Sequence, residues 1–190
     1  MEPFFVSTAS IAVGELGDKT QLLSLILATR LRKPLPIIAG IFAATLVNHL
    51  LACLLGEWVS TLLTPNILRW VLGISFLAVA GWALIPDKLD EDVQTRGNYG
   101  VFVLTTVTFF LAEMGDKTQI IALALAAKYE ALLAVVAGTT LGMMLVNVPT
   151  VLFAERATKW IPVKVVRVVA AIIYAILGIL TLTGYSRITL

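Results

Sequence analysis

Six ionisable residues occupy two copies of one short motif, and their types fit the capture of a hard cation. Glu15-Leu16-Gly17-Asp18-Lys19-Thr20-Gln21 returns as Glu113-Met114-Gly115-Asp116-Lys117-Thr118-Gln119, 98 positions later in a chain of 190 residues. Each copy offers two carboxylates beside the neutral oxygens of Thr and Gln. All-oxygen sets of this kind suit Ca²⁺, Mg²⁺ or Mn²⁺. With one Cys and one His in the whole chain, no thiolate or imidazole cluster accompanies them, and a Zn or Cu site is not expected. The flanking sequence is apolar, and an ionisable side chain at membrane depth costs at least ~2.5–3.5 kcal/mol. Six of them need a reason. On an unbroken helix Glu15 and Asp18 are i and i+3 and share a face, with Thr8 on the stripe of Glu15 and Thr106 on that of Glu113.

The expected cation ligands are therefore Glu15, Asp18, Glu113 and Asp116, with Thr20, Gln21, Thr118, Gln119, Lys19, Lys117, Asn48 and Asn147 as auxiliaries. A blander reading pairs Glu15 with Lys19 and Glu113 with Lys117 at i, i+4, as self-neutralised ion pairs that only pack the repeats together. It leaves Asp18 and Asp116 uncompensated at the same depth. The lysines read better as groups flanking the site that stabilise the ionised carboxylates when no cation is bound. His49 and Asn147 read first as interhelical hydrogen-bond partners.

The elements that must position these residues are duplicated too. Residues 13–30 laid on 111–128 give nine identities in eighteen positions, and the offset continues through Gly40 and Gly138, Leu46 and Met144, His49 and Asn147, and Arg69 and Arg167. Hydrophobic residues make up 59% and charged residues 14%, against roughly 25% charge in soluble domains, so the chain reads as an integral membrane protein in a lipid bilayer. A net charge of +2 gives no footprint for nucleic acid. Cys53 has no intrachain partner for a disulfide. Met1-Glu2-Pro3 lacks a basic n-region, so the first apolar segment is expected to be retained rather than cleaved.

The apolar segments predict an all-α integral membrane fold of six transmembrane helices, at 3–29, 34–56, 66–86, 99–127, 131–154 and about 162–184, with Gly73 and Gly81 as small packing residues in the third. Residues 1–86 form the first three-helix repeat, 87–98 an acidic cytoplasmic linker, and 99–190 the second repeat. An odd number of crossings per repeat makes them inverted. The loops after helices one, three and five carry Arg30, Arg32, Lys33, Lys88, Arg96, Arg156, Lys159, Lys164 and Arg167, whereas the other side carries Arg69, Lys128 and Arg187. Nine basic residues against three place those loops in the cytoplasm and both termini outside. Gly17 and Gly115 are the points at which the motif helices could break or re-enter.

Two Glu-x-Gly-Asp-Lys-Thr motifs in a twice-three-span chain resemble the family of Golgi-type and bacterial calcium/manganese cation:proton exchangers, whose signature is Glu-x-Gly-Asp-[Lys/Arg]-[Ser/Thr]. Both copies fit without departure, over essentially the whole chain. The resemblance implies secondary transport, not an enzyme: Mn²⁺, or Ca²⁺, leaves the cytosol in exchange for protons by alternating access, with Glu15, Asp18, Glu113 and Asp116 as the motif acids. The expected location is the inner (plasma) membrane, as for a prokaryotic member, because the linker is short and there is no N-terminal extension. No cofactor is expected; the divalent cation is cargo, and a homo-oligomer stays open. Two other classes compete. A passive cation channel would use rings of acids, usually from several subunits. An intramembrane aspartyl protease would use two aspartates, but Gly14-Glu15-Leu16-Gly17-Asp18 does not supply Gly-x-Gly-Asp and leaves the glutamates without a role.

Overall fold

The computed structural model describes residues 1–85, 100–154 and 163–184. The acidic linker at 87–98, with Lys88 and Arg96, lies outside the described residues, as do Arg156, Lys159, Arg187 and the side chain of Lys164. Every regular element among the described residues is a helix: α1 (Glu2–Glu15), α2 (Lys19–Leu31), α3 (Pro34–Leu62), α4 (Pro65–Ala83), α5 (Val101–Glu113), α6 (Lys117–Tyr129), α7 (Leu132–Leu152) and α8 (Val163–Thr183).

Local sequence explains where these helices start and stop. Prolines stand at the first turns of α1, α3 and α4, where the missing N–H costs no helical hydrogen bond. Arg32 and Glu130, again 98 positions apart, end α2 and α6 in the left-handed conformation at φ 51° and 49°. The helix expected at 34–56 runs on to Leu62, so Glu57 to Leu62 is helical and the turn shrinks to Leu63 and Thr64. Apolar Trp58, Val59 and Leu62 continue the helix there, and Pro65 fixes where the next one begins.

The main departure lies at the motifs. The sequence predicts single helices at 3–29 and 99–127; each is two helices with a break. Leu16 and Met114 leave helical geometry, Gly17 and Gly115 take φ 77° and 75°, and Asp18 and Asp116 are extended residues capping the next helix. Positive φ is nearly free for Gly and strained for any other residue, which accounts for a glycine at this place in both copies.

The halves pack crosswise. α1 lies on α7, and its counterpart α5 lies on α3; α2 meets α7 while α6 meets α3; α3 with α7, and α4 with α8, are self-paired. Close approach is duplicated to the residue: a Cβ on Gly40 would stand 2.9 Å from the Phe102 carbonyl oxygen, and a Cβ on Gly138 would collide with that of Phe4. Gly73 packs against Leu182 and Gly178 of α8, but a Cβ on Gly81 would meet nothing within 4 Å among the described residues.

α3, α4 and α7 are long and apolar enough to cross a membrane, and α5 and residues 167–183 form shorter apolar helices. α3, with 29 residues, is about 43 Å long. Large apolar side chains such as Phe42, Leu50, Ile74, Val107, Leu145 and Ile176 cover the outside, while Glu15, Asp18, His49, Glu113, Asp116, Lys117 and Asn147 are inside. These polar groups sit among buried apolar side chains such as Ile11, Leu23, Phe76 and Leu125, so the departure from a soluble protein is an apolar exterior combined with buried charge.

Candidate functional site

The two breaks place all four motif acids in the interior, each at most 1% exposed. Glu15 and Glu113 are the last residues of α1 and α5, and Asp18 and Asp116 precede the first residues of α2 and α6. The aspartates therefore do not continue the glutamate stripe, as an unbroken helix would require; the break turns each into a helix cap. Asp18 Oδ1 accepts the Lys19 backbone N–H at 2.7 Å. Negative charge is favoured there by the helix dipole and its unpaired N–H groups.

Each glutamate is held by the threonine five positions on. The Thr20 hydroxyl donates to Glu15 Oε1. The Thr118 hydroxyl donates to Glu113 Oε2 at 2.9 Å and lies 3.5 Å from Asp116 Oδ2. Asn147, from the opposite half, donates to Glu15 Oε1 at 3.0 Å and to the Met143 carbonyl at 3.1 Å. Gln21 and Gln119 do different work: their side-chain oxygens accept the Gly17 and Gly115 N–H groups at 2.7 and 2.8 Å, closing the two breaks. Asn48 donates to the Phe110 carbonyl at 3.0 Å and so fixes α3 against α5. Thr8 and Thr106 stay outside the site; each donates to its own helix, at the carbonyls of Phe4 and Phe102, both at 2.8 Å.

The lysines overturn the i, i+4 pairing. Lys19 Nζ lies 3.2 Å from Asp116 Oδ1, and Lys117 Nζ lies 3.1 Å from Asp18 Oδ1. Each motif lysine neutralises the aspartate of the other motif. Local spacing suggested the glutamates, whereas crosswise packing brings the foreign aspartate to each lysine.

The acids act on one another: Glu15 lies in the field of Glu113 and Asp18, and Glu113 in that of Asp116 and Lys19. One oxygen on each glutamate, Glu15 Oε2 and Glu113 Oε1, has no hydrogen-bond partner among the described residues, nor has Asn147 Oδ1. Buried acceptors without donors are costly, and a hard cation satisfies several at once. No three carboxylate, imidazole or thiol groups among the described residues converge tightly enough to hold a metal ion.

Sequence reasoning missed Tyr174. Its hydroxyl donates to the Ser10 carbonyl at 2.7 Å, is fully buried, and feels the charges of Asp18, Glu15 and Asp116. A Cβ on Gly14 would collide with that hydroxyl. The signal was available, because the residue 98 positions earlier is Phe76, which marks the Tyr174 hydroxyl as a polar addition to one half only.

The model of one protein family, described as divalent cation/proton antiporter GDT1, matches residues 3–91 and 101–188, one stretch in each half. The chain belongs to the GDT1 family of divalent cation/proton antiporters. These are transporters rather than enzymes, and the chain is accordingly a membrane protein. It is 51% identical over 184 residues to a Vibrio cholerae protein named "Putative manganese exporter", covering 95% of this chain and 90% of that protein. Identity to GDT1-like protein sll0615 of Synechocystis is 27% over 194 residues, covering 90% and 92% of the two chains. Identity to GDT1-like protein 4 of Oryza sativa subsp. indica is 29% over 168 residues, or 74% and 59% of the two chains. No solved structure was found to match.

Proposed function

We propose that this GDT1-family chain exports Mn²⁺ from the cytosol in exchange for protons, with Ca²⁺ as a second cargo, by alternating access at the two motifs. Glu15, Asp18, Glu113 and Asp116 supply the charge that binds the ion; Thr20 and Thr118 orient the glutamates, and Asn147 supplies a neutral amide. The observation that carries the reading is the pair of buried glutamates, each fixed by its threonine and each keeping one oxygen without a donor among the described residues. Two such half-sites on crosswise-packed halves form a centre that two arrangements of the same repeats can present to opposite sides. The relative named as a manganese exporter favours Mn²⁺ as cargo.

In this reading α1 with α2, and α5 with α6, each cross the membrane as one broken span. The chain then has six crossings in two inverted repeats, 1–86 and 99–190, joined by the linker at 87–98. The basic residues Arg30, Arg32 and Lys33 face the cytoplasm of the inner membrane, and both termini lie outside. Protons and the divalent ion compete for the same carboxylate oxygens, so a site facing an acidic exterior releases the ion and takes up protons, then exchanges them again inside. The glutamates are assigned as the main proton carriers because Glu starts from a reference pKa of ~4.3 against ~3.9 for Asp.

The test is transport by purified protein in proteoliposomes across Mn²⁺, Ca²⁺, Mg²⁺ and Zn²⁺, with Glu15→Gln, Asp18→Asn, Glu113→Gln and Asp116→Asn alongside. Mn²⁺ transport lost in each isosteric variant supports the assignment. Normal transport by any two of the four variants overturns it.

A further inference from the structure

The crosswise lysine–aspartate pairs bear on how the ion enters, an inference that rests on the divalent-cation reading above. We propose that Lys19 and Lys117 act as resident cations of the site, each ammonium holding the aspartate of the other motif until a divalent ion displaces it, with Lys19 leaving first.

The geometry is that of a filled cation site. An ammonium 3.1–3.2 Å from a buried carboxylate oxygen stands where a metal ion would have to approach. Both pairs use Oδ1 of the aspartate and both cross between halves, so the contacts cannot be the self-pairing that sequence spacing offers. A divalent ion matches the two ammonium charges it replaces, so the exchange leaves the charge beside the aspartates unchanged. The displaced lysines have long, flexible stems that carry the ammonium away from the carboxylates without moving the backbone. Each glutamate keeps an acceptor oxygen, Glu15 Oε2 or Glu113 Oε1, that has no hydrogen-bond partner among the described residues and can be offered to the incoming ion.

The two pairs differ in accessibility, and this sets the order. The Lys19 side chain is 24% exposed and that of Lys117 is 4%. The turn beside the partner of Lys19 is also the open one: Met114 and Gly115 are exposed, whereas Gly17 is buried. Polar backbone reaching the exterior in a membrane protein lines an aqueous route rather than lipid. One crosswise lysine–aspartate pair, Lys19 with Asp116, is thus open and the other, Lys117 with Asp18, is shut, and alternating access exchanges the roles.

Amine labelling with a small acylating reagent, read residue by residue by peptide mass spectrometry on the purified full-length protein, tests the proposal. Without divalent ions Lys19 should label slowly and Lys117 more slowly still. Saturating MnCl₂ or CaCl₂ should raise Lys19 labelling at least several-fold, while exposed Lys33 stays constant. Equilibrium Mn²⁺ binding is measured on the same preparation. Lys19→Gln, which removes the competitor, should tighten the Mn²⁺ Kd about tenfold, and Lys19→Arg, which keeps the charge, should not tighten it. If the lysines are only staples between the halves, Mn²⁺ will bind with Lys19 labelling unchanged and Lys19→Gln will not tighten the Kd. That pair of results overturns the inference and leaves the exchanger reading intact. Absence of Mn²⁺ and Ca²⁺ binding altogether would remove both.

Discussion

The two lysine–aspartate pairs have nearly equal lengths and very different surroundings, so their removal should cost very different amounts. Lys117 stands 3.1 Å from Asp18 with side-chain exposures of 4% and 0%. At that distance and an effective dielectric of about 20 the Coulomb attraction is about 5 kcal/mol. Much of it is offset by desolvation of the lysine, but Lys117→Met leaves a buried carboxylate without its cation, a change that costs about 3–5 kcal/mol. Lys19 is 24% exposed, so solvent screens its pair with Asp116 and Lys19→Met should cost about 1–2 kcal/mol, between the buried and surface limits. Unfolding of the purified variants in mixed micelles, titrated with SDS in excess EDTA, measures both. Asp18→Asn added to Lys117→Met removes the stranded charge while keeping a capping side chain, and should return stability to within about 1 kcal/mol of wild type. A loss below about 1 kcal/mol for Lys117→Met, or an equal loss for Lys19→Met, would refute burial as what distinguishes the pairs.

Three other outcomes follow from the same structure. Gly17→Ala and Gly115→Ala should each lose about 1–2 kcal/mol of stability; nothing lies near a Cβ at Gly115, so the cost there is the positive φ alone, and Gly115→Asn should be milder in the same unfolding assay. Gly138→Val places its side chain against the Phe4 carbonyl where α7 crosses α1, and Gly40→Val does the same to Phe102 on α5, so both should lower the unfolding temperature by several degrees, whereas Gly81→Ala, with open space around it, should not. Because protons and Mn²⁺ share the carboxylate oxygens, apparent Mn²⁺ affinity should fall steadily as the pH drops from about 8 to about 5.5; a flat isothermal-titration series would count against shared groups.

Much of the candidate site was legible because the duplication reports it twice. Glu15, Asp18, Glu113 and Asp116 could be picked out as buried charge without a fold, since nothing else in an apolar stretch explains them. The break at Gly17 and Gly115 was visible only as an option, because a lone glycine inside a helical run is compatible with continuation. That choice then decided which residues meet. An unbroken helix puts Thr8 on the stripe of Glu15, two turns away, and Lys19 one turn away; the broken one puts Thr20 on Glu15 and sends Lys19 to Asp116. Crosswise pairing and the contact of Asn147 with Glu15 depend on long-range packing that no local spacing encodes. Gln21 and Gln119 have the right chemistry for ligands, and their side-chain oxygens also accept the N–H groups of the turn, a role that becomes visible only once the turn exists. Tyr174 could have been found by comparing the halves and asking where one of them adds a polar atom.

The central claim is coupled exchange at the buried acids, and recording both fluxes at once tests it most directly. Proteoliposomes carrying an internal pH indicator and an Mn²⁺-sensitive dye are given Mn²⁺ outside with no initial pH difference. The account predicts Mn²⁺ entry accompanied by alkalinisation of the lumen, both abolished by Glu15→Gln or Glu113→Gln, and Mn²⁺ accumulation against its gradient when the lumen is made acidic. Mn²⁺ entry with no change in internal pH, at a rate indifferent to an imposed pH gradient, would contradict it.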